Sequence, residues 1–310
     1  MILTVTPNPA LDVTYTLDAF VPGESHAVSD IRERAGGKGV NVAAVLARFG
    51  YAVGATGPLG GPLAGAYTAQ VQERGVLADF VASPVPVRRS TTVVTGQQAT
   101  VLNEVGGEQP EQVWDALEAR VHQLAPGDVL TVSGSMPPAA PPGLVAGLVR
   151  SARDRGAWTV LDVRGAALRV ALDEHPSLVT PNAAEAQETT GCADPVQAAA
   201  ALAAAGAGAA LVTCGAAGVI LHLPRRPVLR AKVPVPISGN PTGAGDALTA
   251  ALASRLDGAP DLPTDERWWA ATLRWAVAWS AAAVLQPVAG IVDPADAQRL
   301  LSTVVLEEIP

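Results

Sequence analysis

Hydrophobic residues follow one pattern through the middle of the chain. Short runs rich in Val and Leu alternate with segments of helical periodicity at 111–124, 141–155 and 194–205; the runs are "GDVLTVSG", "AWTVLDV", "PSLVTPN" and "GAALVTCGAAGVILHL". Continuous apolar runs of this length are typical of strands buried on both faces, and their alternation with helices indicates a mainly parallel sheet covered on both sides. The pattern predicts an α/β fold with a three-layer α/β/α core.

The early strands have a different pattern, in which polar and apolar residues alternate. Four such segments lie at roughly 11–18, 26–34, 87–95 and 99–105, the last two around a "TGQQ" turn that is typical of a hairpin. Alternation suits a sheet with one open face. We therefore expect residues of about 11–34 and 87–106 to form a small β-sheet lid that projects from the core.

A long helix is predicted near 265–286. Within it Trp268, Trp275 and Trp279 recur at helical spacing, which indicates packing in the core or against another subunit.

Composition narrows the function classes. The 310 residues include 21 basic and 29 acidic side chains, a net charge of −8, which argues against nucleic acid or an anionic membrane as a partner. No apolar stretch approaches the roughly 20 residues of a membrane span, so a soluble, cytoplasmic protein is expected. Cys192 and Cys214 lack a CxxC partner and are expected to be buried free thiols, and the four histidines show no metal-ligand spacing.

Positive charge is nevertheless concentrated in two short segments on or beside the predicted lid. These segments contain Arg32, Arg34 and Lys38, and Arg88 with Arg89. From composition alone they could be solvated strand faces.

The stretch "NPTGAGDALTAAL" carries the main chemical signal. Leu248, Leu252 and Leu256 define a buried helix face that starts directly after the glycines, so the loop is a helix N-terminus, where free N–H groups stabilise anions. It is neither a Walker A loop nor a dinucleotide fingerprint. Asp246 beside such a site is either an ordinary first-turn acid or a base that deprotonates a hydroxyl attacking phosphorus, as phosphoryl transfer to an alcohol requires.

Seven motifs in chain order resemble those of the ribokinase-like carbohydrate kinases, or PfkB family, and within it the 1-phosphofructokinase and tagatose-6-phosphate kinase branch. They are "TPNPALD", "AGGKGVNVA", "TVLNEVG", "VSGSMPP", "VTPNAAE", "LVTCGAAG" and "NPTGAGD", and the resemblance extends from about residue 2 to 290. It implies a ribokinase-like fold, a single kinase domain over 1–310, and a kinase that uses ATP and Mg²⁺.

The resemblance also implies roles for individual residues. Asp246 corresponds to the catalytic base, and the backbone N–H groups of Gly243, Ala244 and Gly245 to the anion hole. Asn182 and Glu185 correspond to an N-x-x-E element that orders Mg²⁺, its waters and the ATP phosphates, with Glu185 holding the metal through water. Their alternative interpretation is a helix N-cap with its box partner.

The remaining positions divide between nucleotide and sugar. The loop that receives the nucleotide corresponds to Thr213, Cys214, Gly215, Ala216, Ala217 and Gly218. The positions that correspond to sugar contacts are Asp12, Gly37, Asn41, Asn103 and Ser135, and those expected to neutralise a phosphate already on the sugar are Lys38 and Arg88, with Arg89 or Arg32 as further candidates. The chain departs from the branch at Ser90 and Thr92, where asparagine and lysine are usual, and at Arg164, where serine is common.

The predicted substrate is a phosphorylated ketohexose. Fructose 1-phosphate, phosphorylated at its 6-hydroxyl to fructose 1,6-bisphosphate, is favoured; tagatose 6-phosphate and fructose 6-phosphate are the alternatives. A kinase of a neutral sugar or nucleoside and a non-catalytic sugar-phosphate sensor are the rival functions. Exposed lid strands are natural pairing surfaces, so a homodimer through the lid is expected.

Overall fold

The computed structural model describes residues 1–96, 98–263 and 265–309. Gln97 of the predicted "TGQQ" turn lies outside these ranges. The strands are β1 Ile2–Val5, β2 Ala10–Leu17, β3 Asp30–Gly36, β4 Val53–Thr56, β5 Pro58–Gly60, β6 Leu77–Ala78, β7 Val81–Ser83, β8 Arg88–Thr95, β9 Gln98–Asn103, β10 Val129–Ser133, β11 Trp158–Asp162, β12 Leu178–Val179, β13 Ala209–Thr213, β14 Val219–His222, β15 Val228–Lys232 and β16 Val305–Ile309. The helices are α1 Lys38–Arg48, α2 Ala64–Gln72, α3 Glu111–Val121, α4 Leu144–Asp154, α5 Gly165–Leu172, α6 Ala183–Thr190, α7 Pro195–Ala204, α8 Ala244–Leu256, α9 Glu266–Val284 and α10 Pro294–Leu301.

The central sheet has the strand order β16-β15-β14-β13-β12-β11-β10-β1-β4-β6. In this order, the neighbouring strands from β13 to β6 pair parallel. The pairs β13 with β14, β14 with β15, and β15 with β16 are antiparallel and form one edge of the sheet. A separate hydrophobic cluster covers each face, with α1, α8 and α9 on one side and α3, α4 and α7 on the other. The predicted three-layer α/β/α core is therefore confirmed, and the antiparallel edge adds to it.

Helix α8 lies at the centre of one helical layer. Leu248, Leu252 and Leu256 are fully buried, as predicted, and so are the alanines between them, because the helix packs against α1, α9 and the sheet together. A helix that is buried all round cannot move without repacking its layer, so its N-terminus is held in a fixed position.

The tryptophans of α9 pack in the core. Trp279 is fully buried, and Trp268 and Trp275 are partly buried against the same cluster, which agrees with the predicted stripe. Trp269, which was not part of that stripe, is the second fully buried indole, and its Nε1 donates to the carbonyl of Pro263.

The lid has the four strands that were predicted, although β3 begins at Asp30 rather than near residue 26, and their order in the sheet is β3-β2-β8-β9. The register places one polar residue of each strand in a single row, since Arg34 pairs with Asp12, Asp12 with Ser90, and Ser90 with Asn103. Residues paired in register share a face, so this row lies on one side of the lid.

The structure also describes the two cysteines and the lengths of the apolar helices. Cys192 and Cys214 are free thiols, but each is half-buried rather than buried. In the described ranges no helix is long and apolar enough to cross a membrane.

Candidate active site

The loop before α8 is shaped by a glycine in the left-handed region. Gly243 is the N-cap of α8, with φ +87°, and a side chain there would come within 2.8 Å of Ala289. The N–H of Ala244 donates to the carbonyl of Pro241 at 3.2 Å. Of the three amides predicted to form an anion hole, that of Ala244 is thus engaged within the loop, which leaves those of Gly243 and Gly245 as the better donors to an anion.

Asp246 occupies the first turn of α8 and is only 5% exposed. Its Oδ2 accepts a hydrogen bond of 2.9 Å from Nδ2 of Asn41, a residue of α1 that is equally buried. Burial and the nearby carboxylate of Asp162 raise the pKa of Asp246 to about 7, although Lys38 and Asn41 act in the opposite direction. A carboxylate that titrates near neutral pH is suited to general base catalysis.

Lys38 is the first residue of α1, beside the lid rather than on its strands. Its Nζ lies 3.1 and 3.2 Å from the two carboxylate oxygens of Asp162, which ends β11 at the carboxyl edge of the central sheet. Ligand sites in α/β sheets lie outside this edge. Asp162 could not be identified from the sequence, because only the fold brings residues 124 positions apart into contact.

Asp12 faces the same cleft from β2 of the lid. Burial raises the pKa of Asp12 to about 6, and the guanidinium groups of Arg34, Arg88 and Arg74 limit the rise. A side chain on Gly36 would lie 2.0 Å from Oδ2 of Asp12, so only glycine allows the carboxylate to occupy this place. Arg74, which follows α2, was not identified from the sequence.

The three arginines around Asp12 are held by backbone carbonyls. Arg88 donates from Nε to Asn8 at 3.2 Å and from Nη1 to Glu104 at 3.1 Å, and Arg74 donates to Ala35. Burial lowers the pKa of Arg88 and of Arg74, and lowers the pKa of Arg34 to about 10. Three partly buried cations surround the carboxylate of Asp12, and the glutamates that act on Arg74 and Arg88, Glu73 and Glu104, are exposed, so positive charge is in excess at this end of the cleft.

Arg34 also connects the lid to the loop that supports the anion hole. Its Nη1 donates to the carbonyl of Ala289 at 2.5 Å, and Ala289 is the residue packed on Gly243. The adjacent Gly290 approaches Asn41, since a side chain on it would lie 2.8 Å from Asn41 Oδ1. The lid, the loop and the hydrogen-bond partner of Asp246 are therefore in direct contact.

Of the other predicted sugar contacts, Asn103 lies on the lid, Gly37 at the start of α1 and Ser135 after β10. Ser90 Oγ donates to Oδ1 of Asn103 at 2.8 Å, which leaves the Asn103 amide N–H groups for another acceptor. Gly37, with φ +97°, is the N-cap of α1. Ser135 lies 3.4 Å from Nδ2 of Asn8, a residue missed by the sequence analysis although it lies within "TPNPALD".

The two further candidates for the phosphate site, Arg89 and Arg32, do not lie beside Arg88. Arg89 follows Arg88 in β8 and so points to the opposite face of the lid. Arg32 is exposed and pairs with Asp30 at 3.3 Å.

Asn182 and Glu185 form a capping box at the start of α6. Asn182 Oδ1 accepts from the N–H of Glu185, and Glu185 Oε2 accepts from the N–H of Asn182, each at 3.0 Å. The helix-cap interpretation is thus correct for their local structure. The negative charge of the Glu185 carboxylate also raises the pKa of Lys38, so the two groups lie near each other. In the described part of the chain, no group of three or more His, Cys, Asp or Glu residues could hold a metal ion.

The predicted nucleotide loop joins β13 to β14. Cys214 donates its N–H to the carbonyl of Gly218, which closes a short 3₁₀ turn over Gly215–Ala217. Gly218 has φ +95° and lies against β15, where a side chain would come within 2.2 Å of the Ala231 carbonyl. The exposed residues 215–217 therefore project from a rigid base.

The chain is similar to known proteins in both sequence and fold. The model of the pfkB family carbohydrate kinases matches residues 6–296. The 1-phosphofructokinase of Rhodobacter capsulatus is 33% identical over 100% of this chain and 98% of its own, and that of Xanthomonas campestris is 37% identical over 82% and 83%. Phosphofructokinase-2 of Escherichia coli, solved in complex with fructose-6-phosphate, has a TM-score of 0.86 at 24% identity, with 97% of this chain and 98% of that one covered. Ribokinase of Arabidopsis thaliana has a TM-score of 0.75 at 22% identity, with 96% and 98% covered. The ribokinase-like fold is thus confirmed, and the chain belongs to the pfkB family of carbohydrate kinases.

Proposed function

We propose that this chain, acting as one kinase domain over residues 1–310, transfers the γ-phosphoryl group of ATP to the 6-hydroxyl of fructose 1-phosphate and forms fructose 1,6-bisphosphate. The observation that carries the proposal is the excess of positive charge around Asp12, where Arg34, Arg74 and Arg88 face one carboxylate. A neutral sugar would leave Asp12 as the one partly buried carboxylate against three cations, whereas the phosphate of a sugar phosphate neutralises the excess charge. Two related 1-phosphofructokinases support this choice of substrate.

Asp246 performs the proton transfer. As the 6-hydroxyl oxygen forms its bond to phosphorus, the bond from phosphorus to the bridging oxygen of ADP breaks, and the hydroxyl proton passes to the Asp246 carboxylate. The hydrogen bond from Asn41 fixes the orientation of that carboxylate. The amides of Gly243 and Gly245, at the positive end of α8, stabilise the charge on the phosphoryl oxygens.

Magnesium fits the donor set beside Lys38. Glu185 offers a hard carboxylate oxygen held at a helix start by the Asn182 cap, and Mg²⁺ characteristically takes one or two such carboxylates and fills its other positions with water and phosphate oxygens. When bound, the ion neutralises charge on the ATP phosphates. Glu185, oriented by Asn182, would hold it through water.

The loop from Thr213 to Gly218 receives the nucleotide. Its exposed small residues leave space for the nucleotide to lie against the backbone, and the tight Cys214–Gly218 turn keeps this surface in one conformation. Asp12, Gly37, Asn103 and Ser135 bind the sugar, with Arg88 on its existing phosphate.

An ADP-release assay over a panel of acceptors tests the proposal. The panel contains fructose 1-phosphate, fructose 6-phosphate, tagatose 6-phosphate, fructose, ribose and adenosine. We expect the highest kcat/KM with fructose 1-phosphate. A preference for either of the other sugar phosphates would assign the chain to that kinase activity, a preference for ribose, adenosine or fructose would contradict the phosphate site, and no turnover at all would indicate a sensor.

Two matched arginine variants test the assigned phosphate site directly. Arg88→Met removes a cation from the Asp12 cluster, and we expect a rise of about 10²-fold in KM for the sugar phosphate, since charge-assisted hydrogen bonds to the phosphate are lost. Arg89→Met removes the neighbouring charge on the other face of the lid and should leave KM unchanged. Equal effects of the two variants would contradict the assigned phosphate site.

We also propose that two copies associate through their lids. Ile31 is 53% exposed and Leu102 is 55% exposed, and both lie on the lid face opposite Asp12. Exposed apolar side chains beside open strand edges are typical of an isologous interface. Sedimentation velocity should show a dimer that Ile31→Glu dissociates, whereas Val170→Glu, on the distant helix α5, should leave it intact. A wild-type monomer would overturn this proposal.

A further inference from the structure

Arg34, in β3 of the lid, binds the loop between α9 and α10 through its guanidinium group. Its Nη1 donates to the carbonyl of Ala289 at 2.5 Å, and its Nη2 donates to the carbonyl of Gly290 at 3.4 Å. Both donors belong to one planar group and point in fixed directions, and hydrogen bonds from a charged donor are stronger than those from a neutral one. The loop is therefore fixed relative to the lid.

The end of β3 is itself held against α2. The N–H of Ala35 donates to Oε1 of Gln70 at 2.7 Å, and the carbonyl of Ala35 accepts from Nη1 of Arg74 at 2.8 Å. The carbonyl of Gly36 accepts from the hydroxyl of Tyr67, which is fully buried. The guanidinium group therefore extends from a strand end that is fixed to the core.

Gly290 lies between this guanidinium group and Asn41. Its φ is +69°, and a side chain on it would lie 2.8 Å from Oδ1 of Asn41 and 3.2 Å from Nη2 of Arg34. In the described part of the chain, Oδ1 of Asn41 is buried and accepts no hydrogen bond. The amide is thus oriented by its bond to Asp246 and by the backbone packed on its other side. If the loop moved, the amide that orients the base would be free to turn.

The same loop supports the anion hole. A side chain on Gly243 would lie 2.8 Å from Cα of Ala289, so the two backbones are in close contact. The amide of Gly243 is one of the proposed donors to the phosphoryl oxygens. One arginine of the lid therefore holds the backbone against which both the anion hole and the partner of the base are packed.

We infer that Arg34 is a positioning residue for the phosphoryl transfer, because it holds the loop at 289–290 that keeps Asn41 on the base and Gly243 at the anion hole. The inference rests on the proposed function and separates Arg34 from Arg88, which binds the phosphate already on the sugar. The charge of Arg34 adds to the positive end of the cleft, but its two terminal nitrogens are bound to the loop. Arg34 gives up no proton and touches no reacting atom.

A small displacement is enough to slow such a reaction. Misplacing a catalytic group by about 1 Å can lower the rate by about 10²-fold, and a missing oxyanion donor lowers it by about 10²- to 10³-fold. Loss of Arg34 should therefore lower kcat, whereas loss of a substrate ligand weakens substrate binding.

Steady-state kinetics test the inference, with whichever acceptor the wild type prefers in the panel. Arg34→Met removes the guanidinium group, and Arg34→Lys keeps the charge but cannot bind two carbonyls through one planar group. Arg32→Met is the matched control, because it removes an exposed cation two residues away in the same strand. The Kd of the acceptor is measured by calorimetry without ATP, and thermal unfolding confirms that each variant is folded.

We expect Arg34→Met to lower kcat by about 10²-fold and to change the Kd of the sugar phosphate by less than about 5-fold. Arg34→Lys should lower kcat by about 10-fold with an unchanged Kd. Arg32→Met should leave both quantities within about 2-fold of the wild type. A loss of stability alone would not produce this split between kcat and Kd.

A double-mutant cycle shows whether Arg34 acts through Asn41. Asn41→Ala alone is expected to lower kcat by about 10²-fold, since it releases the base. Independent effects would multiply to about 10⁴-fold, whereas the effects of residues that act through one another are not additive in free energy. We therefore expect Arg34→Met/Asn41→Ala to lower kcat by no more than about 10³-fold.

With an active wild type, three results would overturn the inference. If Arg34→Met raises the Kd while kcat is kept, Arg34 is a ligand of the sugar phosphate. If Arg34→Lys has wild-type kinetics, only the charge matters. If the two effects in the cycle multiply, Arg34 does not act through Asn41.

Failure of the proposed function is a separate outcome, because it appears in the wild-type panel. If the wild type prefers an unphosphorylated acceptor, the same variants still decide the role of Arg34. A wild type that turns over no acceptor would overturn the proposed function and the role of Arg34 together.

Discussion

Replacing Asp246 by asparagine should lower kcat by about 10²-fold or more and yet make the protein more stable than the wild type at pH 8. The carboxylate is buried in the first turn of α8, with Asp162 as a charged neighbour. Asparagine has nearly the same shape, carries no charge and keeps an oxygen that can accept from Asn41. The substitution thus removes the base without removing the packing.

The size of the effect follows from the pKa of Asp246, which is about 7 in the folded protein. An aspartate in an unfolded chain has a pKa of about 3.9. Between these values the folded state holds a proton that the unfolded state has lost, so the free energy of unfolding falls as pH rises from 4 to 7 and is level above 7. The difference of about 3 pKa units amounts to about 4 kcal/mol at pH 8.

Urea unfolding of both proteins at pH 8 and pH 5 measures this difference. We expect Asp246→Asn to be more stable by up to about 4 kcal/mol at pH 8, and the gap to shrink to about 1.5 kcal/mol at pH 5, where the wild-type carboxyl is protonated in the folded state. A variant that is less stable than wild type at pH 8, or a gap that does not change with pH, would refute the view of Asp246 as a buried, destabilised charge. Retained kcat would refute its role as the base.

Three further predictions concern the same cleft. The kcat/KM of the wild type should fall below pH 7 to about one tenth of its plateau at pH 6, because Asp246 becomes protonated, and a flat profile down to pH 6 would contradict this. Gly36→Ala, whose methyl group would lie 2.0 Å from a carboxylate oxygen of Asp12, should raise KM for the sugar by about 10-fold or more without changing KM for ATP; an unchanged sugar KM would show that Asp12 does not contact the sugar. Gly243→Ala, at φ +87° and against a neighbouring loop, should cost about 1–3 kcal/mol in urea unfolding. Gly245→Ala lies in α8 and meets nothing within 4 Å, so it should leave the stability unchanged or raise it by up to about 1 kcal/mol; equal losses in the two variants would contradict the local strain.

The sequence distinguishes the strands of the lid from those of the core. A strand buried on one face alternates polar and apolar residues, whereas a strand buried on both faces does not. Leu11 and Val13 alternate with polar neighbours in β2, whereas all five residues of β10 are buried and most of them are apolar. Whether a strand runs parallel or antiparallel to its neighbour leaves no such pattern in its residues. The antiparallel edge was missed for this reason, although the short Cys214–Gly218 connection carries the signal, since a parallel crossover needs a dozen or more residues.

Within the site, local motifs identify residues that act through the backbone or at a helix start. Asp246 and the glycines before it belong to this class. Asp162 and Arg74 do not, because the ion pair of Asp162 with Lys38 and the effect of the Arg74 charge on Asp12 depend on which strands and helices become neighbours in the fold. Arg34 was noted only as a lid charge, and its bonds to a loop 255 residues away follow from tertiary structure alone.

The ratio of kcat/KM for fructose 1-phosphate to that for fructose tests the central claim most directly. The two acceptors present the same 6-hydroxyl to Asp246 and differ only in the phosphate. A site whose partly buried cations bind that phosphate should reject the sugar lacking it, so the account predicts a ratio of about 10³ or more. A ratio near 1 would contradict it.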